Sequence, residues 1–239
     1  MTGQTALKPS EIGVVIPALN EAERIADAIE SCFANGITDV VVSDGGSQDG
    51  TVRVAEKSGA DVVHSARGRG TQTAAGVEAL KTPVLLFLHA DNQLTLGCAD
   101  AICLAWSTDS QRSPTTRRVF WGGFRQRIEG DSRLYRALEW GNVARIRYRG
   151  LPFGDQGMFV DRIGFESVGG IPLIGLMEDV RLSQRLRRLR WPILLDQVIR
   201  VDARRWQERG VVRQTLRNWG IQCADAVGVS EERLKRWYG

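Results

Sequence analysis

The chain has 239 residues, 43% hydrophobic and 25% charged, which fits one large domain or one domain with a small annex. The formal net charge is +4, and only four of the 32 basic residues are lysines (Lys8, Lys57, Lys81, Lys235). Arginine-rich chains suit anionic ligands, although genomic base composition explains the bias equally well. No apolar run approaches the about eighteen residues of a membrane span. Four cysteines without C-x-x-C spacing indicate neither a zinc site nor a disulfide framework. With no basic-then-apolar leader, the expected location is cytoplasmic.

Residues 1–10 read as a disordered lead-in. Ile12 to Pro17 reads as a strand, followed by Asn20 and Glu23 in capping-box spacing. Ile25, Ala28, Ile29, Cys32 and Phe33 then recur at helical spacing up to Asn35-Gly36. Asp39–Val42 predicts a second strand, and Asp49 is placed to cap a helix over Thr51–Ser58. A short strand over Ala60–His64 and a helix over Thr71–Lys81 follow, then Val84–His89, the most apolar strand and expected at the sheet centre. This alternation predicts βαβ units and a parallel sheet.

The second half is less regular. Leu96–Trp106 predicts a helix, Ser107–Thr116 a polar loop, Val119–Arg127 a strand and Ser132–Tyr148 a basic helix. Gln156–Val160 predicts a strand, and Val180–Leu189 a helix with Val180, Leu182, Leu186 and Leu189 inward. Ile193–Val198 predicts a last strand, and the pattern from Trp206 onward is helical. The expected layout is a catalytic unit over 11–206 and a helical annex over 207–239.

Two acidic signals stand at strand ends: Asp44-Gly45-Gly46 after Val40–Val42, and His89-Ala90-Asp91 after Val84–Leu88. Open α/β sheets bind ligands beyond the carboxyl ends of their strands. Carboxylates there can hold a sugar nucleotide and its metal. The segments Ile16-Pro17-Ala18-Leu19-Asn20-Glu21, Asp44 to Thr51, His89-Ala90-Asp91 and Glu178-Asp179 resemble, in order and spacing, the inverting family-2 glycosyltransferases of GT-A fold. The resemblance covers about residues 12–206. With Gly154-Asp155-Gln156, Leu176-Met177-Glu178-Asp179 and Arg204-Arg205-Trp206, it leans to a small soluble subfamily associated with arsenosugar biosynthesis.

The resemblance implies an α/β Rossmann-like GT-A fold with a mostly parallel sheet flanked by helices and a helical C-terminal segment. It implies donor contacts from Pro17, Asn20, Glu21, Asp44, Gly45, Arg69, His89 and Arg205, and a divalent cofactor, Mn²⁺ or Mg²⁺, on Asp91. It further implies Asp179 as catalytic base with Glu178 beside it, and Asp155, Gln156 and Trp206 on the acceptor or sugar side. The expected partners are a nucleotide-sugar donor, with UDP the favoured nucleotide, and an acceptor the sequence does not name. Asp44-Gly45 also reads as a plain turn, Glu178-Asp179 as acids complementing a helix dipole, and His89 as a strand-end histidine satisfied by backbone.

Arg125–Arg149 carries no nucleic-acid-binding signature and reads as a solvated helix face. Trp219 and Trp237 among the C-terminal arginines fit docking on the core, a membrane surface or a partner subunit such as a second copy. Two other functions stay open: a sugar-phosphate nucleotidyltransferase, which would want a glycine-rich basic loop after the first strand, and a non-catalytic nucleotide-sugar binding module.

Overall fold

The computed structural model describes residues 6–112 and 119–211, and beyond them 213, 215, 217, 220, 224, 229 and 233. The strands are β1 (Ile12–Ala18), β2 (Asp39–Asp44), β3 (Asp61–His64), β4 (Val84–Phe87), β5 (Asn92–Leu94), β6 (Trp121–Ile128), β7 (Met158–Asp161) and β8 (Ile193–Val201). The helices are α1 (Ile25–Ala34), α2 (Thr51–Lys57), α3 (Arg69–Ala79), α4 (Cys98–Arg112), α5 (Arg133–Arg149), α6 (Arg162–Ser167), α7 (Glu178–Leu189) and α8 (Arg204–Arg209). The strands form one sheet in the order β3-β2-β1-β4-β7-β6-β8-β5.

The run β3-β2-β1-β4 is parallel, and so is the β6-β8 pair; β7 runs antiparallel to β4 and β6, and β5 antiparallel to β8. Side chains alternate faces along a strand. Val14 and Ile16 of β1 therefore join one core cluster with Ile29 of α1 and Ile102 of α4. Val15 joins the other, with Val77 of α3, Phe165 of α6 and Leu182 of α7. Helices cover both faces, which is why β4 and the Val14–Ile16 and Val40–Val42 runs of β1 and β2 are continuously apolar rather than alternating. The α3 helix lies close on β1 because Gly76 has no side chain; a methyl there would meet Val15 Cγ1 at 2.4 Å.

This topology gathers the candidate residues at one sheet edge. β1, β2 and β4 deliver residues 19–21, 44–47 and 88–91 at their carboxyl ends. Because β7 is antiparallel to β4, with Met158 opposite Phe87, the segment before β7 starts from that same edge. β6 and β8 also finish there, and α7, which precedes β8, begins there.

Several local expectations are corrected. Leu7 is buried in the core and Pro9–Glu11 forms a 3-10 turn, so the lead-in is ordered from there, while 1–5 lie outside the described residues. Asn20 does not cap α1, whose N-cap is Arg24 without a side-chain bond. The cap of α2 is Gly50, although Asp49 Oδ1 still accepts the Thr51 N–H at 3.0 Å. The polar loop expected from Ser107 is helical to Arg112: Ser107, Thr108 and Ser110 donate their hydroxyls to the carbonyls four residues back, which hides their polarity from the pattern. Residues 113–116 of that loop lie outside the described residues. Gln156 belongs to a 3-10 turn over Gly154–Gln156, not to a strand. Leu189 is 54% exposed rather than inward. β5 and α6 were not expected; α6 is capped by Asp161, whose Oδ2 accepts the Gly164 N–H at 3.1 Å. In the C-terminal segment, Val211 packs with Ile128 and Tyr135, and Ala224 and Val229 with Leu176.

Candidate active site

The first loops are stitched together by their own side chains. Asn20 adopts a left-handed backbone (φ 56°), a conformation asparagine tolerates. Its N–H donates to Ser47 Oγ (2.9 Å), and its Oδ1 accepts from the Gln48 N–H (2.9 Å). The Glu21 N–H donates to Thr51 Oγ1 (2.8 Å). Arg204 Nη2 lies 3.9 Å from Glu21 Oε2. Pro17, lacking an N–H, stands just past the β4 pairing, which ends at Val15.

Asp44 pairs in register with Ala18 and is buried. Its carboxylate accepts the N–H groups of Gly46 (2.9 Å) and Ser47 (3.0 Å). Burial pushes its pKa up, but hydrogen bonds from Ser47 and Gly46 and the nearby His64 outweigh it, so the carboxyl titrates below its usual range. Gly45 is packed by Gln72, whose Nε2 ties the carbonyls of Ala18 (2.7 Å) and Ser43 (3.1 Å). A methyl on Gly45 would come within 2.9 Å of that nitrogen.

One turn before Gln72, Arg69 opens α3. Its Nε lies 3.0 Å from Glu178 Oε1 at the start of α7. Glu178 is 3% exposed, and its Oε2 is buried without a hydrogen bond. Burial, with a lesser push from Asp179, raises its carboxyl to about 7 against the opposing pull of Arg69. Asp179 Oδ2 accepts the Gly154 N–H (2.7 Å) and Oδ1 its neighbour's, from Val180 (2.7 Å). Gly154 also abuts His89: a methyl there would sit 2.7 Å from His89 Nε2 and 3.2 Å from Asp179 Oδ2. The structure therefore brings His89, Gly154, Asp179, Glu178 and Arg69 together.

The turn carrying Gly154 is held by residues that pattern reading missed. The Asp155 carbonyl accepts from Asn92 Nδ2 (3.0 Å) and Gln126 Nε2 (2.8 Å). Asn142 Nδ2 of α5 donates to Gln126 Oε1 (2.6 Å). Arg145 Nε donates to the Leu151 carbonyl (3.0 Å) and its Nη2 to Gln156 Oε1 (2.5 Å). The Arg145 guanidinium carbon also stands 3.4 Å over the Phe153 ring centre. Burial draws Arg145 down to about 10, despite the pull of Asp155 and Asp179. Gln156, expected toward the acceptor, is fully buried and holds this turn instead. Asp155 keeps one buried carboxylate oxygen without a hydrogen bond.

Asp91 lines a cavity of about 90 Å³ with Arg24, Asp27, Gln93, Glu129, Arg200 and Asp202. Neither Asp44 nor Asp179 lines that cavity. Its wall is braced where Asp202 accepts from Arg24 Nε (2.6 Å) and from the Arg204 N–H (2.7 Å). Among the described residues, no group of three or more His, Cys, Asp or Glu could by itself hold a metal ion. Trp206, expected at the acceptor, packs 6.2 Å from the Tyr135 ring and against Ile128. The Arg205 side chain lies outside the described residues.

Residues 13–158 match the profile of Glycosyl transferase family 2. The match includes Asp44 and Asp91 and stops before Glu178-Asp179. The glycosyltransferase AglJ of Haloferax volcanii is 41% identical over 85 residues, 35% of this chain and 28% of that protein. An uncharacterized glycosyltransferase of Mycobacterium tuberculosis is 38% identical over 87 residues, 36% of this chain and 39% of its own length. The chain thus spans well under half of these curated relatives. Among solved structures, the Pyrobaculum calidifontis mannosyltransferase PcManGT, in complex with GDP-Man and Mn²⁺, superposes with TM-score 0.60 at 17% identity over 81% of this chain and 58% of that one. Residues 1–349 of S. aureus TarS give TM-score 0.61 at 13% identity, covering 95% and 68%. Glucosyl-3-phosphoglycerate synthase of M. tuberculosis, with Mn²⁺ and UDP-glucose, gives 0.51 at 20%, covering 83% and 75%. At such identities the likeness speaks for the fold. The chain belongs to glycosyl transferase family 2 and has the α/β GT-A fold.

Proposed function

We propose that the protein moves a sugar, with inversion, from a nucleotide-sugar donor to a hydroxyl acceptor in a metal-dependent reaction, with UDP the favoured nucleotide. The observation that carries this reading is the meeting of Asp179, Gly154 and His89 at the sheet edge that also presents Asp44. Inversion needs a base opposite the departing diphosphate. Asp179, oriented by the N–H groups of Gly154 and Val180, fits that role. It would take the acceptor proton as the hydroxyl oxygen bonds to the anomeric carbon and the bond to the diphosphate breaks.

Asp44 and the loops tied by Asn20 would seat the nucleoside. Arg69, and Arg205 after β8, would face the diphosphate. A divalent ion on Asp91 would neutralise charge on the departing phosphate. By donor chemistry a carboxylate and an imidazole suit Mn²⁺ better than Mg²⁺, and diphosphate oxygens would supply the remaining ligands; His89 lies against Gly154, while Asp91 lines the cavity of Arg24 and Asp202. The catalytic unit would span 11–206, with 207–239 packed on it. The likeness to arsenosugar-associated proteins names a subfamily and no acceptor. A thermal-shift screen of UDP-glucose and GDP-mannose with and without Mn²⁺ tests the reading. Stabilisation by a nucleotide sugar that grows with Mn²⁺ supports the reading through linkage; no shift with any nucleotide sugar contradicts it.

A further inference from the structure

The α5 helix is apolar on two sides. Its inward side places Tyr135, Leu138 and Ile146 against the body of the protein. At 3.6 residues per turn, Leu134, Ala137, Trp140, Gly141, Ala144 and Tyr148 share a second, outward stripe. There Leu134 is 50% exposed, Trp140 75% and Tyr148 74%. A large aromatic stripe of this kind on a helix calls for a covering partner.

Charge selects the partner. Arg133, Arg147 and Arg149 are exposed beside the stripe. The single acid of α5, Glu139, is turned inward: its side chain is 12% exposed and pairs with Arg136 (3.0 Å) and Arg127 (3.7 Å). A second copy docked by two-fold symmetry would set these arginines against each other. The described C-terminal residue Val211 packs on the Tyr135–Leu138 side instead. Aromatic and leucine side chains flanked by arginines match the boundary between anionic headgroups and acyl chains.

We propose that the outward face of α5 docks on an anionic lipid surface. The inward face of the same helix carries Asn142 and Arg145, which hold the Gly154–Gln156 turn, so docking would set the Asp179 side of the site near the lipid. The proposal does not depend on the reaction assigned above.

Co-sedimentation of the full chain with vesicles of phosphatidylglycerol or of phosphatidylcholine tests it. The expected result is binding to phosphatidylglycerol, little binding to phosphatidylcholine, and weakening with added salt. The pair Trp140→Ala and Tyr148→Ala should lower the bound fraction with an unchanged circular dichroism spectrum. The pair Arg147→Gln and Arg149→Gln should weaken binding roughly fivefold per arginine. Absence of binding, equal binding to both lipids, or binding unaffected in both variants would overturn the proposal. So would a wild-type dimer that the Trp140/Tyr148 variant converts to monomer, which would assign the stripe to a second copy.

Discussion

Arg69 Nε lies 3.0 Å from Glu178 Oε1, joining the first residue of α3 to the first residue of α7. The contact links the loop expected near the diphosphate to the residue beside the proposed base. The second oxygen of Glu178 is buried, and burial raises its carboxyl from 4.5 to about 7 against the pull of Arg69. A raised carboxyl binds its proton more tightly in the folded state. Its stabilising contribution is therefore full below pH 4.5 and is lost as pH rises toward 7. Glu178→Gln removes that slope. Relative to wild type, the variant should gain on the order of 2 kcal/mol between those limits, read from denaturant melts at each end. A difference that stays flat with pH would contradict the assignment.

Gly154 is the point where His89 and Asp179 converge. Gly154→Ala would place a methyl 2.7 Å from His89 Nε2, and the imidazole can swing away at a cost of about 1–2 kcal/mol. Turnover should fall far more, on the order of 10²-fold, because the displaced groups belong to the proposed reaction centre. Steady-state kinetics beside a melting curve separates the two effects. An active Gly154→Ala enzyme would place the chemistry elsewhere.

Arg145 is expected to matter for stability before chemistry. Arg145→Ala leaves the Leu151 carbonyl without this donor, takes from Gln156 Oε1 the stronger of its two donors and removes the contact with Phe153. The cost should be about 2–4 kcal/mol in urea unfolding. Arg145→Lys should recover less than half of it, since an ammonium cannot reproduce the fork. A loss no larger than that of an ordinary surface substitution would contradict the bracing role.

Asn20 gives a sharper contrast between a helix cap and a loop tie. Asn20→Ala loses the bond to Gln48 and strains a left-handed backbone, at about 1–2 kcal/mol. Asn20→Gly should cost roughly half of that, because glycine accepts the same backbone. Both should leave helix content unchanged. Loss of helical dichroism in either variant would restore the capping role.

The first half of the fold was legible because strands buried on both faces are continuous apolar runs and the helices between them are amphipathic. Val84–Leu88 and Ile25–Phe33 carry those signals without ambiguity. The acids at strand ends were legible because topology fixes where a parallel strand delivers its next residues. Asn20 misled because asparagine serves helix caps and left-handed turns alike. The Arg145 network was hidden because arginine at an inward helix position looks like arginine on a solvated one; only its adjacency to Ile146, on the buried side, carried a trace. Gln156 looked like a ligand contact because a buried amide whose oxygen accepts from Arg145 leaves no mark in sequence. The short β5 has three residues and no apolar alternation, and it exists through its pairing with β8.

The central claim, that Asp179 removes the acceptor proton, is tested most directly by Asp179→Asn read two ways: nucleotide-sugar affinity by calorimetry and nucleotide release during transfer. The account predicts near-normal donor affinity with transfer lowered by at least about 10²-fold. Transfer at the wild-type rate in that variant would contradict it.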